Sequence, residues 1–205
     1  MIVTLDGQRL TDPFPTAETL QNLIDRVRDA YLKDRLVVSV TVDGHVLGDA
    51  ELNAGLERPV ATAAQVDLES GAPATLATAA LRGLAAEFAE ADARLAEIAD
   101  RLNSEDVPAA IRDVGAVISL WQTCYRALPQ CGALLHCDLL DVEYEGRPVR
   151  ARLTELADKL TDVRAALEAH DVVILADLVR YELPALAQTW HAILNHLAAQ
   201  TEPRA

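Results

Sequence analysis

The stretch that decides the fold is LRGLAAEFAEADARLAEIADRL, residues 81–102. Its apolar residues recur three and then four positions apart, which places them in one stripe along an α-helix. Three later stretches repeat this spacing. The four stripes are Leu81, Leu84, Phe88, Ala91, Leu95, Ile98 and Leu102; Val107, Ile111, Val114, Ile118, Trp121, Tyr125 and Leu128; Leu153, Leu156, Leu160, Val163 and Leu167; and Val172, Ala176, Val179, Leu183, Leu186, Trp190, Ile193 and Leu197. Because such helices bury their stripes against one another, residues 71–200 are predicted to form an antiparallel four-helix bundle.

Capping residues and prolines set the predicted ends of these helices. Ser104 and Asp171 are suited to cap the second and fourth helices, and Pro129 is expected to end the second. Pro184 lacks a backbone N–H and is expected to kink the fourth. The predicted helices cover about residues 73–103, 104–129, 149–169 and 171–200, with a long connection at 130–149, in which 144–148 is the favoured turn, and a frayed tail at 201–205.

Residues 1–70 have a different pattern, in which short apolar segments alternate with turn signals. Asp6-Gly7 and Asp43-Gly44 are pairs typical of two-residue hairpin turns. Strands are predicted at 1–5, 8–10, 36–42, 45–47 and 65–69, with a helix from the N-cap Thr16 to about Lys33 and a short turn at 50–56. The segment Ser70-Gly71-Ala72-Pro73 is the predicted domain boundary. The predicted fold class is therefore α+β.

This order of strand, strand, helix, strand, strand, short turn and strand resembles the β-grasp fold of ubiquitin-like domains. The closest stretches are VTVDGHVLGDAEL at 40–52 and QVDLE at 65–69. Ubiquitin-like modifiers end in a free Gly-Gly tail, whereas Ser70-Gly71 continues into the helical region, so conjugation at this point is not expected. The resemblance implies either a fused docking module or a structural cap for the bundle.

Charge and hydropathy exclude several classes of function. The chain has 205 residues with 32 acids against 18 Lys and Arg, a net charge of −14, which repels nucleic acid. The longest basic cluster is Arg147, Arg150 and Arg152, and acids flank it. No apolar stretch reaches the length of a membrane span, the first residues do not read as a signal peptide, and three cysteines are an odd count. We expect a cytoplasmic protein that binds neither nucleic acid nor a membrane.

Cys124, Cys131, His136 and Cys137 form the one cluster of candidate metal ligands. Their C-x6-C-x4-H-C spacing differs from the paired C-x2-C spacing of structural zinc sites, which favours buried apolar cysteines near a helix end. A metal site is the alternative. No Glu is followed by a His three residues later, so a ferritin-like di-iron centre is disfavoured. We therefore expect no metal and no cofactor.

The segment ADLVRYELP, residues 176–184, contains the second group of candidate site residues. Asp177 and Tyr181 lie one helical turn apart, beside Glu182 and the helix-breaking Pro184. These four residues are interpreted either as a polar network between helices or as a partner-binding site. His191 and His196 are five positions apart and are expected at the surface or rim.

Function is predicted mainly from the fold and from the absence of catalytic motifs. The sequence contains no Gly-rich phosphate loop, nucleophile elbow or Ser-His-Asp order. We predict a non-enzymatic protein–protein interaction protein, an adaptor or chaperone, whose layout resembles that of export chaperones such as those that hold flagellin subunits. That resemblance implies a groove for an amphipathic partner helix. The alternatives are a structural homodimer without another partner, and an enzyme or metal protein that uses the Cys/His cluster or the Asp177/Tyr181 region.

Overall fold

The computed structural model of the protein describes residues 1–11, 14, 19–104 and 106–202, and the chain divides into two compact units. The first unit covers Met1–Pro73 and the second Ala74–Ala205. The first contains a small sheet with helices, and the second is helical apart from one short hairpin. The protein is thus mixed α and β, with the sheet at its N-terminal end.

The N-terminal unit is a five-stranded sheet with its helices. In chain order its elements are β1 (Ile2–Leu5), β2 (Gln8–Arg9), α1 (Leu20–Tyr31), β3 (Leu36–Val42), β4 (His45–Val46), α2 (Asp49–Gly55), a 3-10 turn (Val60–Thr62) and β5 (Gln65–Gly71). The strands lie in the order β2-β1-β5-β3-β4, and β1 and β5 are parallel while the other neighbours are antiparallel. The buried core consists of Val3, Leu20, Leu23, Val27, Val40, Val60, Val66 and Leu68.

Both Asp-Gly pairs form two-residue turns. Asp6 and Gly7 have φ angles of 50° and 78° and join β1 to β2; Asp43 and Gly44 have φ angles of 48° and 83° and join β3 to β4. Positive φ at both central positions matches the right-handed twist of the flanking strands, and Asp and Gly are residues that tolerate it.

Two local expectations in this unit need correction. Helix α1 begins at Leu20 with Thr19 as its N-cap, whose hydroxyl accepts a hydrogen bond from the Asn22 N–H at 3.2 Å, and it ends at Tyr31. The predicted cap Thr16 lies outside the described residues. The turn predicted at 50–56 is the helix α2, because the Glu51 carboxylate accepts the Gly48 N–H at 3.1 Å and completes its first turn.

Asp6, Arg35 and Ser70 form a clamp at the end of β5. The Asp6 carboxylate accepts hydrogen bonds from the Ser70 backbone N–H and hydroxyl, each at 2.7 Å. The Arg35 guanidinium donates to the Ser70 hydroxyl at 2.7 Å and to its carbonyl at 2.8 Å. These bonds fasten the last strand to the first turn. The two bonds from Ser70, with a smaller contribution from Arg35, hold the pKa of Asp6 below its ordinary value.

This clamp predicts a pH-dependent loss of stability in Asp6→Asn. Asn tolerates the positive φ, so the substitution removes mainly the charge. Because the pKa of Asp6 is lowered in the folded state, its stabilisation is complete above the ordinary value of 3.8 and is lost as pH falls through the folded pKa. Thermal unfolding of the full chain between pH 7 and pH 3 should show a lower Tm for the variant at pH 7 and convergence with the wild type in acid. Asp34→Asn, at an exposed carboxylate, is the control.

The helical unit has one hydrophobic core, and its first helix begins at Pro73, the last residue of the N-terminal unit. Its elements are α3 (Pro73–Leu102), α4 (Val107–Leu135), a hairpin of β6 (Glu143–Tyr144) and β7 (Arg147–Pro148), α5 (Val149–Glu168), α6 (Val172–Asp177), a π-turn (Leu178–Glu182) and α7 (Leu183–Thr201). The first, third and fourth predicted stripes face this core. Trp121 and Trp190 are its largest side chains, and both are fully buried.

The second predicted stripe is correct only in part. Ile111 and Tyr125 are exposed, and the exposed fraction of Tyr125 is 62%. The smaller side chains Ala110, Val117 and Cys124 are buried instead. Helix α4 is therefore rotated about its axis relative to the predicted orientation. Its buried stripe contains small residues, whereas the prediction was based on the large apolar ones.

The predicted end of the second helix at Pro129 is wrong, since α4 continues to Leu135. Leu128 and Cys131 are buried on either side of the proline, and this continued packing offsets the hydrogen bond that Pro129 cannot make. The connection consequently covers 136–148 rather than 130–149. Its predicted turn is present as the β6–β7 hairpin.

The irregularity expected at Pro184 is present as a π-turn immediately before α7. The Leu183 N–H donates to the Leu178 carbonyl, five residues back. One widened turn then precedes α7, which has Pro184 in its first turn, where the missing N–H costs least. Asp171 caps α6 as expected, since its carboxylate accepts the Ile174 N–H at 3.0 Å. Of the predicted tail, Thr201 is helical, and 203–205 lie outside the described residues.

Polar contacts join α3 to the segment from Arg180 to Glu202, which contains α7. From Arg82 to Asp100 on α3, the residue number of the partner falls from 202 to 180, so the two segments run antiparallel. The contacts are Thr78 with Thr201, Arg82 with Glu202, the Ala85 carbonyl with His191, Asp92 with Gln188, and Asp100 with Arg180. The first and last helices of the unit are therefore neighbours.

A close backbone approach at the end of α4 predicts opposite effects for two glycine substitutions. A Cβ added at Gly132 would lie 2.6 Å from the Cys137 carbonyl oxygen, whereas one added at Gly115, in the same helix, would meet nothing within 4 Å. Gly132→Ala should lower the free energy of unfolding by about 1–3 kcal/mol. Gly115→Ala should raise it by about 0.5–1 kcal/mol, since alanine is the better helix former. Urea denaturation of both variants measures this, and equal effects would contradict it.

Candidate functional site

A groove between α4 and α5 is the candidate site of the helical unit. Its cavity volume is about 340 Å³. The lining residues are Trp121, Gln122, Tyr125 and Arg126 from α4, and Leu153, Leu156, Ala157 and Leu160 from α5. We call this feature the α4–α5 groove. Its volume lies at the lower end of ligand-binding cavities.

The two walls of the α4–α5 groove differ in chemistry. Every polar side chain of the lining stands on α4, and the three exposed ones, Gln122, Tyr125 and Arg126, each have at least one hydrogen-bond donor. The wall from α5 is entirely apolar, with Leu153 and Leu156 buried, Leu160 half-buried and Ala157 exposed. The lining contains no carboxylate, in a chain with 32 acids. The groove therefore suits an amphipathic ligand that brings acceptors to one side.

Trp121 connects this groove to the core. The Trp121 ring is fully buried and lies 6.0 Å from the Phe88 ring, centroid to centroid, at an angle of 47°. Its indole Nε1 is buried and has no hydrogen-bond partner among the residues that the structure describes. A buried donor left without an acceptor costs about 1–3 kcal/mol.

Arg126 is the cation of the groove. The residues one turn away on α4 are Gln122, Thr123, Pro129 and Gln130, so the helix supplies no acid within reach. Within the described ranges no carboxylate pairs with Arg126. Ion pairs are made by Arg28, Arg35, Arg82, Arg94, Arg101, Arg147, Arg150, Arg152, Arg164 and Arg180. The Arg126 charge is thus available to a ligand.

A second groove lies in the N-terminal unit, with a volume of about 580 Å³. Its apolar lining includes Leu47 and Val60, and its charged groups are largely committed to their own unit. The Asp43 carboxylate accepts the Ala64 and Gln65 N–H groups at 2.8 Å. The Glu51 carboxylate lies 3.3 Å from His45, and the hydrogen bond from the Gly48 N–H, followed by the contact with His45, lowers its pKa. This groove offers fewer unpaired polar groups than the α4–α5 groove.

The predicted group at 177–184 is divided by the structure. Glu182 forms an ion pair with Lys159 of α5 at 2.6 Å, so it belongs to a contact between helices. Pro184 lies in the first turn of α7. Asp177 and Tyr181 are exposed and make no polar contact with another described residue. Among the four, Glu182 is the residue for which the described structure shows a polar side-chain contact, and a partner-binding role of the group stays a prediction.

The predicted Cys/His cluster is also divided. Cys124 and Cys131 are buried, Cys137 is exposed, and His136 ends α4 with a φ of 54°. Burial raises the pKa of the Cys124 thiol to about 12 and also raises the pKa of Cys131. Over the described residues, no three His, Cys, Asp or Glu side chains are grouped so as to hold a metal ion.

The two C-terminal histidines are half-buried rather than plainly exposed. His191 Nδ1 lies 2.8 Å from the Ala85 carbonyl oxygen of α3. The His196 ring packs edge-on against Tyr144, with 5.4 Å between the centroids. Both residues therefore join elements of the helical unit.

The thiol environments predict selective reactivity at pH 8. Cys137 is exposed, whereas Cys124 and Cys131 are buried with raised pKa values and so hold little thiolate. Ellman's reagent should modify one thiol of the native protein rapidly and all three after denaturation. Cys137→Ser should abolish the rapid phase. A rapid phase that survives in this variant would show that a buried thiol is accessible.

Sequence reasoning missed Gln122, Arg126 and the exposed side of α5 as site residues. The available signal was weak: Arg126 is an arginine without an acid one turn away on its helix. Trp121 and the leucines of α5 that line the groove belong to the core or pack against it, as their stripes predict. Their role at a groove depends on the spacing of two helices, which the periodicity of either helix does not encode.

None of the helices in the described part of the chain has the length and apolar composition needed to cross a bilayer. Comparison with protein-family models, with curated proteins and with solved structures finds no match to this chain.

Proposed function

We propose that this chain is a non-enzymatic binding protein, an adaptor or chaperone, that holds an amphipathic helix of a protein partner in the α4–α5 groove. The observation that carries this proposal is the pairing of one apolar wall with one wall of hydrogen-bond donors. An amphipathic helix is a ligand whose two faces match such walls.

The dimensions of the groove support a helix as its ligand. At a rise of 1.5 Å per residue, the lining from Leu153 to Leu160 extends about 10 Å, or two helical turns. That length receives two or three anchor side chains spaced three or four residues apart. Tyr125, which is 62% exposed at the edge of the groove, is the type of side chain enriched at interface hot spots.

We further propose that the N-terminal unit is a ubiquitin-like β-grasp domain and that the second unit is an antiparallel four-helix bundle. The strand order β2-β1-β5-β3-β4, with β1 and β5 parallel, supports the first assignment. For the second, α6, the π-turn and α7 count as one interrupted helix beside α3, α4 and α5. The β-grasp domain serves as a fused docking module or as a cap, and the helical unit captures the partner.

Site-specific photo-crosslinking tests the proposed function. A benzophenone amino acid replaces Ala157, exposed in the groove, or Ala165, exposed on the same helix and outside the groove lining. Irradiation of cells that produce the full chain should give an adduct with one defined protein from position 157 and none from position 165. Ala157→Gln, which narrows the groove without adding charge, should reduce copurification of that protein at least tenfold, whereas Ala165→Gln should not.

Three other results would contradict the proposal. Equal adducts from positions 157 and 165 would show that the partner does not bind specifically in the groove. No adduct from either position would show that no partner binds there. An adduct of twice the mass of the chain would identify a second copy as the occupant and support a structural homodimer instead.

A further inference from the structure

We infer that the partner helix is acidic along the edge that faces α4, where it places a carboxylate against Arg126. This inference deepens the proposed function and rests on it. It assigns both the charge of the partner and the direction in which its polar edge faces.

The first argument is the charge of the lining. Arg126 is the charged residue of the groove, and no carboxylate of the described chain pairs with it. A partner with a basic edge would meet this cation and find no acid in the lining. An acidic edge would gain a charge-assisted hydrogen bond, and a guanidinium can donate two such bonds to one carboxylate. Electrostatic complementarity therefore favours an acidic partner.

The second argument is the asymmetry of the groove. Gln122, Tyr125 and Arg126 all stand on α4, while α5 offers only leucines and Ala157. A partner helix that seats its apolar stripe against α5 must turn its polar edge toward α4. The acidic side chains are therefore expected on one edge of the partner helix, next to its apolar stripe.

Three synthetic helices of about 18 residues test this inference on the full-length chain. They share one leucine stripe and carry Glu, Gln or Lys along the same flanking edge. Fluorescence anisotropy of the labelled peptides gives Kd. The Glu helix should bind about tenfold more tightly than the Lys helix, with the Gln helix between them.

Two matched variants locate this preference. Arg126→Gln should bring the Glu and Lys helices to within about twofold of each other. Arg112→Gln removes another exposed arginine of α4, outside the groove lining and without a carboxylate partner among the described residues, and should preserve the preference.

The outcomes separate this inference from the proposed function. If all three helices bind with equal affinity, the groove holds a helix but does not select an acid, and only the inference fails. The same holds if Arg126→Gln retains the preference for Glu, or if the Lys helix binds best. If none of the helices binds below about 1 mM, the proposed function fails together with the inference.

Discussion

Burial of Trp121 is the constraint on which the candidate site depends. The indole is fully buried against Phe88, and α4 must be turned so that this ring points into the core. The same rotation buries Cys124 and leaves Tyr125 at the surface. The floor and one rim of the α4–α5 groove are therefore consequences of how one large side chain is packed. The unsatisfied indole N–H is the cost of that packing.

Local signals made much of the fold predictable. Three signals act within a few residues and are therefore visible in the sequence. They are the Asp-Gly pairs, the Asp171 cap, and the three-four spacing of α3, α5 and the last helix. The orientation of α4 was not predictable in the same way. Its buried stripe includes Ala110 and Cys124, which are small and contribute little to an apolar pattern. Ile111 and Tyr125 contribute strongly to that pattern but are exposed.

The errors at Pro129 and at the candidate site have a common physical origin. A proline costs a hydrogen bond locally, but burial of Leu128 and Cys131 is a gain that only the assembled core supplies. The same holds for ion pairs. Lys159 pairs with Glu182, whereas Arg126 meets no acid, because the helices that become neighbours decide which basic side chain finds a carboxylate. Interactions between distant parts of the chain decided both outcomes, and short-range patterns do not report them.

The polar contacts between α3 and α7 also determine where the ends of the helical unit lie. Thr78, in the second turn of α3, meets Thr201, the last residue of α7, and Arg82 meets Glu202. The entry and exit of this unit are therefore adjacent in space. A unit with adjacent ends can be inserted into a surface loop of another protein, or circularly permuted by a short linker, without rearrangement of its core.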